Sequence, residues 1–244
     1  YKMSFFRIKS KIFDKYGDKK KEDSQEYFAY YIIRPISFWL APLFAIFNVS
    51  ANSVTWLSLI FGLLGSTLFF IGGYELQIVA SIFILIWLIL DHVDGNLARY
   101  YKTQSLFGDF LDSLVCYIVF ALIPICIAHS VANDNHVLAI GELYILGWMF
   151  SIGFILSRLI YQKFKQIDNK RYKNILSGSK KTSFFRRLFN FVNNLFNPSG
   201  MLVPLLVFSS IFQQLEMFLF FYGVGYFSIL IYSSIVFILK SRNF

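Results

Sequence analysis

Four aspartates offer the chemistry in this sequence. The stretch LILDHVDGNLARY carries Asp91 and Asp94, and the stretch LFGDFLDSLVCYIV carries Asp109 and Asp112. A spacing of three puts both carboxylates of each pair on one face of a helix. A short turn joins the two stretches and makes them antiparallel neighbours, so three or four carboxylates are expected to converge. Like charges this close do not all ionise without a cation. Oxygen ligands with no His or Cys cluster favour Mg²⁺, Mn²⁺ or Ca²⁺ over zinc. Two such ions side by side suit phosphoryl transfer, where they clamp phosphate oxygens. Gly95 and Gly108 lack a β-carbon and Ala98 is small, which leaves room for a ligand against the backbone. Arg99 is positioned to meet a phosphate or an aspartate.

The elements that must position these residues are membrane helices. Of 244 residues, 57% are hydrophobic, 15% are charged and 30 are Phe, with a mean hydropathy of +0.57. A soluble domain carries about a quarter charged residues. Two cysteines exclude a disulfide scaffold, and the hydrophobicity excludes a disordered chain. Six stretches reach or approach the ~20 apolar residues that a bilayer needs. They lie near 53–72, 76–95, 109–130, 142–162, 199–213 and 217–239, the fifth being short and containing Pro204. The expected fold class is an all-α membrane protein, with six transmembrane helices and amphipathic juxtamembrane helices on the cytoplasmic side.

The net charge of +9 comes from blocks of Lys and Arg, eight of them before residue 22 and nine between 163 and 187. The stretches 72–77, 130–142 and 213–217 contain none. This is the positive-inside pattern, with anionic membrane lipids as the expected partner and no nucleic acid. Both termini and the aspartates then face the cytoplasm. No cleaved signal peptide is expected, and Met3 is the expected natural start. Residues 4–16 place Phe5, Ile8, Ile12 and Tyr16 on one face, and 183–196 do the same with Phe184, Leu188, Phe191, Val192 and Leu195. In the second segment Arg186, Arg187, Asn190 and Asn194 take the polar face. Both segments are expected to lie in the membrane interface. Residues 27–47, with Pro35 and Pro42, read as a further membrane-surface element. The expected division is a juxtamembrane segment, 1–48, and a six-helix catalytic domain, 49–244, with a basic cytoplasmic loop at 163–197.

From Asp91 to Asp112 the chain reads D-x-x-D-G-x-x-A-R, eight residues, G, three residues, D. This resembles the signature of the CDP-alcohol phosphotransferases, which continues with three residues and a last aspartate. The approach to the first span, NVSANSVTWLSL, extends the resemblance, with Ser50, Ala51 and Asn52 where the family usually has Thr-Pro-Asn. The resemblance implies a homodimer with a two-metal Mg²⁺ or Mn²⁺ site open to the cytoplasm. It implies a CDP-linked donor, with CDP-diacylglycerol favoured, a hydroxyl acceptor and CMP as leaving group. It assigns Asp91, Asp94 and Asp112 to the metals, and Gly95, Ala98, Arg99 and Gly108 to the nucleotide. A bacterial inner membrane is the expected location.

The family's last aspartate, the base position, falls on Cys116. Three alternatives stand open: Asp109 or His92 takes over as base, the Cys116 thiolate serves, or turnover is impaired. Two other functions also stand: a family member that binds CDP-alcohols without efficient turnover, and a small ion or solute transporter that uses the carboxylates. Arg158 is a candidate for an acceptor phosphate, or else snorkels to the interface. Lys163, Lys165, Lys170, Arg171 and Lys173 read as a solvated loop, and His129 and His136 as surface residues. Cys116 and Cys126 lie ten residues apart on one helix and cannot pair with each other.

Overall fold

Every regular element among the residues described by the computed structural model, 4–17, 26–134, 137–167 and 190–241, is helical. The chain runs through α1 (Phe5–Asp14), α2 (Ala29–Ile46), α3 (Ala51–Ile71), α4 (Tyr74–Tyr101), α5 (Leu106–Ala132), α6 (Ile140–Ile167), α7 (Val203–Ile211) and α8 (Leu215–Ser241). A π-helical turn, Ala29–Ile33, opens α2, and another, Pro198–Leu202, precedes α7. His136 and residues 168–189 of the basic loop, Phe184 and Leu188 among them, lie outside the described residues.

Six helices are long and apolar enough to cross a membrane, but their membership differs from the expected set. Ala29–Ile46, expected on the membrane surface, is one of the six. The expected fifth span is the shorter Pro198–Ile211. Its start is interrupted at Gly200, whose backbone leaves helical geometry (φ −86°, ψ −109°) and packs directly against the Asn194 carbonyl. At 1.5 Å per residue this helix falls well short of the ~30 Å hydrocarbon core.

Packing in the bundle depends on small residues that let backbones approach. A β-carbon on Gly65 would lie 2.6 Å from Ile84 Cδ1. One on Gly153 would lie 2.7 Å from the Tyr226 carbonyl carbon, and one on Gly223 would lie 2.8 Å from the Leu146 carbonyl oxygen. Trp87, Phe120, Phe150, Phe154 and Tyr222 fill the core between these crossings. The outward faces stay apolar, with Trp56, Ile60, Phe70, Ile145, Trp148 and Phe220 exposed.

Of the two amphipathic segments, the first departs from the expectation of an interfacial helix. Ile8, Ile12 and Tyr16 of the α1 segment are buried in a cluster with Phe38 and Ala41 of α2 and Leu97 of α4. The apolar stripe of α1 therefore packs on protein. In the second segment Phe191 and Val192, expected on the apolar face, are exposed, and Asn194, expected on the polar face, is buried. The backbone just beyond Asn194 is clamped by two tyrosines. Tyr222 Oη donates to the Leu195 carbonyl at 2.9 Å, and Tyr226 Oη donates to the Phe196 carbonyl.

The turns free of Lys and Arg gather at one end of the bundle and are bonded together. Tyr74 Oη donates to the Ile211 carbonyl at 3.0 Å. Gln77 Nε2 donates to Ser130 Oγ at 2.9 Å and to Asp134 Oδ2 at 2.5 Å. Glu216 accepts from the amides of Val137 and Leu138. His129, expected on the surface, meets Tyr144 Oη through Nδ1 at 2.6 Å and stacks on Phe70.

Since the α6–α8 crossing is set by backbone contact at Gly153, Gly153→Val is expected to cost about 1–3 kcal/mol of stability through overpacking. Thermal unfolding in detergent should show a lowered midpoint for this variant. Gly141→Ala, where an added β-carbon meets nothing, should match the wild type.

Candidate functional site

Three helix ends meet around one cavity of about 600 Å³. The C-terminal end of α4 brings Asp94, Gly95, Ala98 and Arg99 to its wall. The N-terminal turns of α5 bring Gly108, Asp109 and Asp112, and the first two turns of α3 bring Ala51, Asn52 and Thr55. Both incoming helices start on a serine cap. Ser50 Oγ accepts from the Ser53 amide and Ser105 Oγ from the Gly108 amide, each at 3.1 Å. Lys102 ends α4 in a left-handed conformation (φ 59°), which turns the chain sharply into α5.

Asp94 is buried and accepts a 2.7 Å hydrogen bond from Thr55 Oγ1. Asp112 and Asp109 are exposed on the cavity wall. Asp91 lies behind that wall, half-buried, where its carboxyl meets that of Asp112. A β-carbon on Gly95 would sit 3.4 Å from Arg99 Nη1, so the Arg99 side chain folds back over Gly95. On Gly108 it would sit 3.6 Å from Asn52 Oδ1.

A buried polar hub supports this wall. Asn96 Oδ1 accepts from Arg99 Nη2 at 2.7 Å and from Arg34 Nη1 at 3.4 Å. Its amide nitrogen donates to Ser37 Oγ at 2.9 Å. Arg34 and Arg99 thereby stand within electrostatic reach of Asp91 and Asp94 respectively. Lys15, just past α1, also lines the cavity and donates to the last carbonyls of α4, Arg99 at 3.1 Å and Tyr100 at 2.8 Å.

The remaining candidates stand apart from the wall. His92 is buried, with Nδ1 2.9 Å from the Leu88 carbonyl oxygen and 3.6 Å from Asp91 Oδ2. Cys116 is half-buried, and its Sγ accepts from Arg158 Nη1 at 3.6 Å. Arg158 lies over the Phe154 ring, 4.7 Å from its centroid, and so turns into the bundle instead of snorkelling out. Both cysteines are free thiols.

Thr55, Asn96, Arg34 and Lys15 were not singled out by the motif. Thr55 was visible as a polar residue in an apolar span, and Arg34 as an isolated charge in an apolar stretch. Asn96 and Lys15 carry no such signal, because only the packing of α1 and α2 on α4 brings them into play.

Among the described residues no three His, Cys, Asp or Glu side chains stand close enough to hold a metal ion. The donor set nonetheless has the chemistry of a hard-cation site. Asp91, Asp94 and Asp112 offer oxygens only, from two facing helices, with Thr55 orienting one of them.

Residues 48–211, about two thirds of the chain, match the family model described as CDP-alcohol phosphatidyltransferase. The chain belongs to the CDP-alcohol phosphatidyltransferase family. It is a membrane-embedded transferase of CDP-alcohols, of a family that generally uses divalent metal ions. No curated protein matches the chain.

The bond from Thr55 to Asp94 carries a direct consequence. If Asp94 holds a metal ion, Thr55→Val should weaken Mn²⁺-dependent turnover about 10–100-fold, the usual cost of losing a partner that orients a ligand. Thr55→Ser should stay near wild type. Initial rates across a Mn²⁺ titration make the comparison.

Proposed function

We propose that the chain transfers a substituted phosphate from a CDP-alcohol, with CDP-diacylglycerol as donor, to a hydroxyl acceptor with release of CMP. The observation that carries this is the cavity: six of the seven motif residues, Asp94, Gly95, Ala98, Arg99, Gly108 and Asp112, line it. The seventh, Asp91, touches it through Asp112. Spacing in sequence and proximity in space therefore agree on one set of residues.

In this proposal Asp91, Asp94 and Asp112 hold two Mg²⁺ or Mn²⁺ ions. Such ions, when bound, supply Lewis-acid stabilisation of charge on the diphosphate. Thr55 keeps the Asp94 carboxylate turned toward its partners. Gly95, Ala98 and Gly108 leave the backbone open to the nucleotide, and Arg99 offers a guanidinium to a phosphate. The acceptor hydroxyl bonds to the phosphorus distal to cytidine. The bond from that phosphorus to the bridging oxygen breaks, and CMP leaves with the electron pair. The hydroxyl proton passes to Asp109, which is exposed on the wall, whereas His92 is held against its own helix. Arg158 serves an anionic acceptor from its place beside Cys116.

The proposal includes a homodimer in a bacterial inner membrane, contacts with anionic lipids and a cavity open to the cytoplasm. Charge placement supports this orientation. Lys15, Arg99 and Lys102 ring the cavity, while the bonded turns at the opposite end carry Asp134 and Glu216 with no Lys or Arg. A second reading, binding of CDP-alcohol without efficient turnover, draws on the pairing of Cys116 with Arg158 at the base position.

CMP release by the purified protein, with Mg²⁺ or Mn²⁺, CDP-diacylglycerol and a panel of acceptors, tests the proposal. Turnover is expected in the wild type, none in Asp94→Asn, and a gain in Cys116→Asp. Turnover only in Cys116→Asp would favour the second reading. Silence in both would overturn transfer from this donor.

A further inference from the structure

The family match starts at residue 48, so α1 and α2 lie outside it. Even so, the segment that follows α1 supplies part of the cavity wall. Ile8, Ile12 and Tyr16 anchor that segment against α2 and α4, in one buried cluster with Phe38 and Leu97. The anchor fixes Lys15 at the mouth, where its ammonium donates to the carbonyls of Arg99 and Tyr100. These are the last carbonyls of α4, the negative end of the helix that carries Asp94. An ammonium has three protons. Two are committed to these carbonyls, and the third is left for a group inside the cavity that Lys15 lines.

We infer that Lys15 is a donor-binding residue, which gives its third proton to a phosphate oxygen of the CDP-linked substrate while its other two hold the end of α4. The inference rests on the proposed function of this cavity. It makes the segment before the family region part of the site, a role distinct from anchoring the chain to the membrane. The chemistry favours an anion at this point. Arg99 and Lys102 stand on the same wall beside Lys15, in one cavity with the carboxylates of Asp94, Asp109 and Asp112, which the Mg²⁺ of the proposed function would offset, and the Ser105-capped start of α5 faces it. A cation already pinned by two carbonyls also loses little further freedom on meeting a ligand.

Binding of CDP and of cytidine to the full-length protein in detergent with Mg²⁺, followed by calorimetry, tests the inference. Lys15→Met should weaken CDP about tenfold or more, as expected for loss of a charged hydrogen bond, and leave cytidine unchanged. Lys15→Arg should restore CDP binding. Lys15→Gln keeps donors for the two carbonyls without the charge, so it should also weaken CDP alone, and it decides the matter if Lys15→Met fails to fold. Equal CDP affinity in wild type and variants would overturn the inference and leave the proposed function standing. Equal losses for CDP and cytidine would reduce Lys15 to a helix cap and overturn it as well. A wild type that does not bind CDP would overturn both.

Discussion

A carboxylate inside a membrane bundle is tolerable only where partners or water relieve its charge. Here Asp94 is buried among three helices, and the architecture around it follows from that position. The two helices facing it both begin near its level, so their capped N-terminal turns, not their apolar middles, are its neighbours. Thr55 is spent on its carboxylate, and Asn96 gathers two guanidiniums within electrostatic range without adding a charge of its own. The bundle can then be tightly packed everywhere else, because no other cluster of charge is buried in it among the described residues.

The same requirement explains how much of the site could be read in advance. Asp91, Asp94, Gly95, Ala98, Gly108 and Asp112 lie within one helix–turn–helix, where periodicity and spacing define geometry. Thr55 belongs to another helix, and its partner depends on how α3 crosses α4. Lys15 and Arg34 depend on α1 and α2 docking on α4. The apolar stripe of α1 signalled burial but not the surface it would be buried against, since lipid and protein are equally apolar. The helix at 198–211 is not a full span for a local reason: the backbone leaves helical geometry at Gly200 near its start. The stretch 27–47 was legible as apolar, yet Pro35 and Pro42 sit within a helix that proceeds regardless. Pro35 falls in the first turn of the α-helical part, where a missing amide costs little.

Packing is shared unequally between the two halves of the bundle. On the α6–α8 side, main chain meets main chain at Gly153 and Gly223, and aromatic rings fill the flanks. On the α3–α4–α5 side, Gly62 receives the side chains of Val119 and Trp87, and Gly65 receives that of Ile84 together with the Ala80 carbonyl oxygen. The closest main-chain approaches of these crossings thus fall on the side away from the aspartates.

The polar bonds among the turns at Tyr74, Gln77, Asp134, Val137 and Glu216 have a mechanical consequence. They lace together the ends of α4, α5, α6, α7 and α8 opposite the cavity, while at the cavity end the helices part around open space. Each bond joins two different helices, so none of these ends shifts without carrying a neighbour with it.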